Sequence, residues 1–277
     1  MSIIIKFGNR VLRFIDCHIV PFVGWLCNAK NKYVNVIYYH DIVVGEGFSY
    51  MRTEKDVFIR HMNYLADNGY ETLRFDDLDS DSKQTFEKKR VVIAFDDGWR
   101  SNYTEIFDFM KLKNLKYNVF LTIGEIGNNP EYLTWDMVRE MHESGLVGFG
   151  AHTYTHPNMA VISAIDYHHE VNDADEKFEQ ELGYRPVDFC YPFGYYSEES
   201  NLCLENQSNY QRIYTSKKLY SYQQNGRVVF GRNGISNDDP MRYFIKKVKG
   251  YANWHKLYHD HFIKHLLDFY HLFKHTK

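Results

Sequence analysis

The feature that most constrains this chain is the run Val91-Val92-Ile93-Ala94-Phe95, broken off by Asp96-Asp97-Gly98. Five consecutive apolar residues are too few for a free-standing helix. Ended by two carboxylates and a glycine, they read as a strand buried on both faces, the kind found in parallel sheets covered by helices. Comparable runs recur at Val34 to Tyr39, Tyr117 to Thr122, Leu146 to Gly150 and Val187 to Tyr191, with weaker ones at Arg212 to Thr215 and Val228 to Phe230. Between them lie amphipathic stretches. Phe58, Met62 and Leu65 repeat at helical spacing before Asn68-Gly69, Thr134 caps a helix that reaches about Glu143 before Gly145, and a long polar helix covers roughly 163 to 182. Six or seven β-α units follow from this alternation, an α/β domain around a parallel sheet.

Composition narrows the class. The 277 residues are 44% hydrophobic and 25% charged, which describes a folded globular chain, and the net charge of −3 offers no electrostatic footprint for nucleic acid. Aromatic residues are abundant, with 23 Tyr and 20 Phe, which fits either a sugar-stacking surface or a Tyr-rich core. Cys17, Cys27, Cys190 and Cys203 form no Cys-x-x-Cys pair and read as ordinary buried thiols. No phosphate loop, nucleophile elbow or dinucleotide fingerprint is present. Lys6, Arg10, Arg13 and Asp16 interrupt any signal-peptide core and no stretch reaches 18 apolar residues, so a cytoplasmic location is expected, with the inner face of the membrane as a place of peripheral contact.

The chain divides into an N-terminal amphipathic segment at 1–33, a body at 34–250 and an amphipathic, His- and Lys-rich helix at 251–277. The two ends are expected to pack on the barrel rather than lie on a membrane surface, and the terminal histidines to form a solvated face.

Four segments at strand ends carry the chemistry, because parallel β-α folds assemble their sites on that rim. Asp96-Asp97 places two carboxylates side by side, which demands a cation or a shared proton. His152-Thr153-Tyr154-Thr155-His156 places two imidazoles four residues apart, read as one face of a helical turn. With an aspartate they make a two-His, one-carboxylate set, leaving positions open for water as a hydrolytic metal site does. Tyr191-Pro192-Phe193-Gly194 is an irregular loop whose backbone N–H groups can face a site, and Tyr39-His40-Asp41 supplies a rim histidine.

In this order and spacing the segments resemble the polysaccharide deacetylases, the NodB homology domain of carbohydrate esterase family 4, over roughly residues 34 to 240. The histidine ahead of Asp-Asp-Gly further resembles the branch acting on poly-N-acetylglucosamine. The resemblance implies a distorted (β/α)7 barrel and metal-dependent removal of acetyl groups, usually N-acetyl, from an acetylated sugar or glycan. It implies that Asp97, His152 and His156 hold a divalent metal, most often Zn2+. Asp96 is then the general base, His40 the general acid, and Phe193 with Tyr191 the residues at the oxyanion and substrate. Many members have Arg at the position of Cys190. Arg232, in Gly231-Arg232-Asn233-Gly234-Ile235, resembles a later motif and is the candidate to orient the base instead. Two other activities fit the same residues: O-deacetylation or hydrolysis of another C–N bond, and glycan binding without catalysis.

Overall fold

The computed structural model describes residues 33–45, 49, 51–78, 89–207, 209–216 and 221–253. The proposed amphipathic segment at 1–33, the terminal helix from 254 onward with its histidines, and Cys17 and Cys27 lie outside the described residues, except for Tyr33.

Eleven strands are described: β1 (Asn35–Tyr39), β2 (Asp41–Val43), β3 (Arg52–Glu54), β4 (Glu71–Leu73), β5 (Arg90–Phe95), β6 (Tyr117–Leu121), β7 (Val147–Ala151), β8 (Asp188–Cys190), β9 (Arg212–Thr215), β10 (Tyr222–Gln224) and β11 (Arg227–Gly234). The longer helices are α1 (Lys55–Asp67), α2 (Phe107–Lys113), α3 (Trp135–Glu143), α4 (Ala174–Leu182), α5 (Glu198–Gln207) and α6 (Met241–Val248). Seven parallel strands run β1-β11-β9-β8-β7-β6-β5, and β5 pairs back onto β1, closing the distorted (β/α)7 barrel. The small strands β2 and β3 pair separately beside β1.

Strand pleating sorts the side chains. Val36, Tyr38, Val92, Ala94, Phe120, Cys190, Tyr214 and Phe230 pack together as one cluster inside the barrel. Their sequence neighbours Ile37, Tyr39, Ile93, Phe95, Val119 and Leu121 pack in a second cluster with Phe58, Met62 and Leu65 of α1 and Val138 of α3. The same two-residue period therefore carries His40, Asp96, His152 and Arg232, which follow these inward positions, to the top of the barrel interior.

The lower end of the barrel is irregular, and one asparagine closes it. β4 pairs with the first half of β5, whereas β6 meets β5 only at Ala94 and Phe95. In the gap, the Asn118 side chain donates to the carbonyls of Leu73 (3.0 Å) and Ile93 (3.1 Å) and accepts from Phe75 N–H (2.7 Å). A Cβ at Gly148 would come within 2.4 Å of Asn118 Oδ1, so glycine on β7 is what leaves space for this bridge. Below Cys190, Arg212 and Asp188 form a bidentate pair (2.6 and 2.7 Å), to which Tyr214 donates its hydroxyl.

The predicted helix over 163–182 is present but not regular. It begins as Ala164–Tyr167, passes through a π-helical stretch at His168–Asp173 and continues as α4. Such a bulge re-aims side chains relative to a regular helix, and here it turns Glu170 inward. Further along, Asp175 is buried and accepts the Tyr210 hydroxyl. Burial raises its carboxyl to about 7 despite that bond and the charge of Arg185.

Asn118→Ala removes three hydrogen bonds and strands buried backbone groups, and is expected to lower stability by about 2–4 kcal/mol in urea unfolding. Asp175 binds its proton more tightly folded than unfolded, where its pKa is about 3.9, so its contribution is full below pH ~4 and is lost as pH rises through ~7. Asp175→Asn should therefore gain on wild type steadily between those pH values in unfolding midpoints, and a constant difference would contradict the assignment.

Candidate active site

At the top of β5 the two adjacent carboxylates acquire different partners. Asp96 continues the inward pleat. Asp97 adopts φ +75°, a left-handed conformation favoured by Asp and Asn among non-glycine residues, and its carboxylate leaves the line of the strand. Gly98 follows at φ +87°, with Ile126 and Leu121 so close that a Cβ would collide with them.

Asp96 is clamped from β11. Arg232 donates through Nη1 to Oδ1 (2.6 Å) and through Nη2 to Oδ2 (2.9 Å), with Nε directed at the Thr215 carbonyl (3.3 Å). The guanidinium lies over the Tyr38 ring at 4.2 Å and is 1% exposed. Burial alone would raise the Asp96 carboxyl, but Arg232 outweighs it and holds the group below its ordinary value. Arg232 thus takes the orienting place, and Cys190 is no idle thiol: its Sγ receives Arg232 Nη2 at 2.9 Å. Cys203, read with it as buried, is half-buried.

Asp97 faces the two imidazoles. Its Oδ1 lies 3.5 Å from His152 Nε2 and 3.4 Å from His156 Nε2, while Oδ2 accepts from Trp99 Nε1 at 2.9 Å. His152 is fixed from behind by its Nδ1 against the Cys190 carbonyl (2.7 Å), the orientation that leaves Nε2 for a ligand. Asp97 Oδ1 is buried and has no hydrogen-bond donor among the described residues. A carboxylate oxygen orphaned between two imidazole nitrogens fits a divalent cation, and Asp97, His152 and His156 form a group whose ligand atoms lie within 4.8 Å of one another. A second grouping, Asp96 with His152 and Cys190, meets the same distance limit, but Arg232 already occupies two of its members.

The electrostatics agree. Burial penalises the Asp97 carboxylate, yet His152, His40 and His156 hold it well below the usual range. Burial and then the neighbouring His152 lower His156 to about 4, so it is a neutral ligand near pH 7. His152 is pushed upward: burial opposes its charge, but Cys190, Asp97 and Asp96 favour it. This point in the site attracts positive charge.

The His-x-x-x-His segment is not a helical turn. Thr153 and His156 have φ of +67° and +62°, so the imidazoles converge through a tight irregular loop. Glu170, from the π-helical stretch, holds that loop: its carboxylate accepts from Tyr154 N (2.9 Å), Thr155 N (2.8 Å) and Thr155 Oγ1 (2.5 Å). Neither Glu170 nor Trp99 was legible as a site residue, although Trp99 directly follows Asp-Asp-Gly. His40 stands across from Asp97 and the two imidazoles, its Nε2 3.9 Å from Asp96 Oδ2, with a pKa lowered by burial against the pull of Asp96 and Asp97.

His40, Asp96, His152, His156 and Arg232 line a cleft of roughly 220 Å³ together with Tyr38, Phe193, Tyr195 and Ser216. Phe193 sits at its wall in the turn Pro192–Gly194. Tyr191 also lines the cleft, although it is 1% exposed and donates its hydroxyl to Asn201 at 3.1 Å.

Removing the Glu170 carboxylate should loosen the two-histidine loop without touching a ligand atom. Glu170→Ala is expected to weaken Zn2+ binding by roughly 10-fold in competition with a chromophoric chelator, the low end of what losing an outer support costs. Unchanged affinity would show that the loop holds its shape unaided.

A family model described as polysaccharide deacetylase matches residues 83–212. YxkH of Bacillus subtilis, which carries a polysaccharide deacetylase name, is 27% identical over 217 residues, covering 77% of this chain and 75% of its own length. The peptidoglycan-N-acetylglucosamine deacetylase of Bacillus cereus is 27% identical over 156 residues, 56% of this chain and 54% of that protein. Among solved structures, the Streptococcus pyogenes deacetylase PplD in complex with acetate shares the fold with a TM-score of 0.68 at 20% identity, covering 78% of this chain and 97% of that one. The Asp-Asp-Gly and His-x-x-x-His segments, assembled on one barrel rim, both lie within residues 83–212, the part of the chain that is similar to a polysaccharide deacetylase domain.

Proposed function

We propose that this enzyme hydrolyses the N-acetyl group of an acetylated glycan or glycan precursor, with a divalent cation, most naturally Zn2+, held by Asp97, His152 and His156. The observation that carries this reading is the split of the carboxylate pair: Asp97 has an oxygen left for a cation between two imidazoles, and Asp96 beside it is locked by Arg232. Relatives named for N-acetyl removal from peptidoglycan support the substrate class.

Asp97, His152 and His156 would hold the cation, which would supply Lewis acidity at the acetyl carbonyl and make water a usable nucleophile at neutral pH. Asp96 accepts the proton of the attacking water. Its bidentate clamp fixes the carboxylate in one orientation, and burial offsets part of the loss of basicity that Arg232 causes. His40, across the cleft, protonates the departing amine. Its lowered pKa makes the imidazolium a ready donor, and a proton gained by Asp96 has 3.9 Å to travel to it. The backbone N–H of Phe193 is assigned to the oxygen that becomes negative in the tetrahedral state. Arg232 is a positioning residue, because it acts through Asp96.

Purified protein loaded with Zn2+ is expected to release acetate from N-acetylated oligosaccharides and to stop when a chelator is added. A free amine as co-product supports the reading, whereas a free hydroxyl would replace it by O-deacetylation. Asp96→Asn should lower kcat by at least ~10²-fold, the scale of a lost general base, while the bound metal stays stoichiometric. Retained turnover would remove Asp96 from the role of base.

A further inference from the structure

Asp97 is fixed through its main chain and its side chain, and the second of these attachments treats its two oxygens differently. Its carbonyl accepts from Thr122 N–H at 3.1 Å, and its φ of +75° turns the side chain out of the line of the strand. Oδ1 then faces His152 and His156 with no donor among the described residues, while Oδ2 accepts the indole N–H of Trp99 at 2.9 Å. Trp99 is not part of the cleft lining, so any effect it has there passes through Asp97.

The indole is itself held in place. Its ring stacks on Tyr132 at 4.7 Å with planes 22° apart, and the main chains of Trp99 and Tyr132 pair in an antiparallel bridge. On either side of that bridge Arg100 N–H donates to the Glu131 carbonyl (2.8 Å) and Leu133 N–H to the Gly98 carbonyl (2.9 Å). Trp has one donor and no acceptor, so this short ladder spends the only polar atom of the ring on one carboxylate oxygen. A hydrogen bond to an ionised acceptor is about twice as strong as a neutral one, which makes the two oxygens of Asp97 unequal.

We infer that Trp99 is a positioning residue that restricts Asp97 to one oxygen toward the cation, so that the site keeps a coordination position for water and substrate. The inference rests on the proposed cation at Asp97, His152 and His156. A carboxylate beside a divalent ion can attach through one oxygen or through both. Attachment through both would fill a place that a hydrolytic site leaves open, whereas the bond from Trp99 keeps Oδ2 occupied and Oδ1 alone available.

The test uses the full chain loaded with Co2+, whose visible absorption weakens as its coordination number rises, and compares wild type with Trp99→Phe. Phenylalanine keeps a ring against Tyr132 and removes the donor. Trp99→Phe should bind Co2+ stoichiometrically but with a weaker visible band, and its Zn2+ form should lose roughly 10-fold in kcat, the low end of what an outer hydrogen bond contributes. An unchanged band with metal bound would overturn the inference, because the packing of the ring and not its N–H would then hold Asp97. In 15N-labelled wild type, the Trp99 indole proton should stay downfield and slow to exchange after Zn2+ is added. Its movement to the position of a free indole would place both oxygens on the cation and overturn the inference, whether or not the variant folds. The two readings fail separately: metal bound without acetate release removes the deacetylase reaction and leaves these spectra to decide on Trp99, whereas a chain that binds neither Zn2+ nor Co2+ overturns both.

Discussion

The bidentate pair between Arg232 and Asp96 is the interaction on which the site depends. Two carboxylates in succession at the end of a buried strand repel each other and are poorly solvated. Arg232 resolves this for one of them only, with its own charge spread over the Tyr38 ring beneath it. Because Asp96 is satisfied, the remaining deficit falls on Asp97, whose Oδ1 is orphaned between His152 and His156. One ion pair thus separates two chemically identical side chains, one fixed by a guanidinium and one with an oxygen left open between two imidazoles. Removing one partner from a buried pair generally costs 3–5 kcal/mol, because the other is left charged and unpaired.

The barrel makes that pair possible by closure. β1 pairs with both β5 and β11, which brings residue 96 and residue 232 to the same rim although 136 positions separate them in sequence. Closure in turn requires space inside. Gly148 and Gly150 on β7 leave room for Asn118 and Phe120, whose side chains would otherwise collide with a Cβ at either position. The barrel holds a second Arg–Asp pair, Arg212 with Asp188, outside the lining of the active-site cleft. The same chemistry supports structure at one level and function at the other.

Much of this was legible from pattern. The buried run ending in Asp96-Asp97, the paired histidines and the rim position of His40 are properties of local sequence, since a strand period of two and a glycine stop need no partner to be read. The shape of the His152–His156 segment was not legible. Spacing by four suggests a helical turn, but the turn is replaced by left-handed residues tied to Glu170, which enters from a π-helical stretch 15 residues away. A bulge of that kind leaves no clear periodic signature, because the helix continues on both sides and a register shift confined to one turn is too short to read in the sequence. Tyr191 lines the cleft as its place in the loop suggests, and only packing shows that its hydroxyl bonds to Asn201.

What the sequence by itself determined is the set of reactive groups and the strand ends that carry them, because alternation and strand breaks are written locally in the order of residues. The tertiary structure alone decided which groups are partners: Arg232 rather than residue 190 on Asp96, Cys190 behind both Arg232 and His152, Glu170 under the histidine loop, and the two aromatic rings of Phe193 and Tyr195 left in solvent. Partnership depends on barrel closure and register, and these are set by the fit of every strand at once rather than by any one segment.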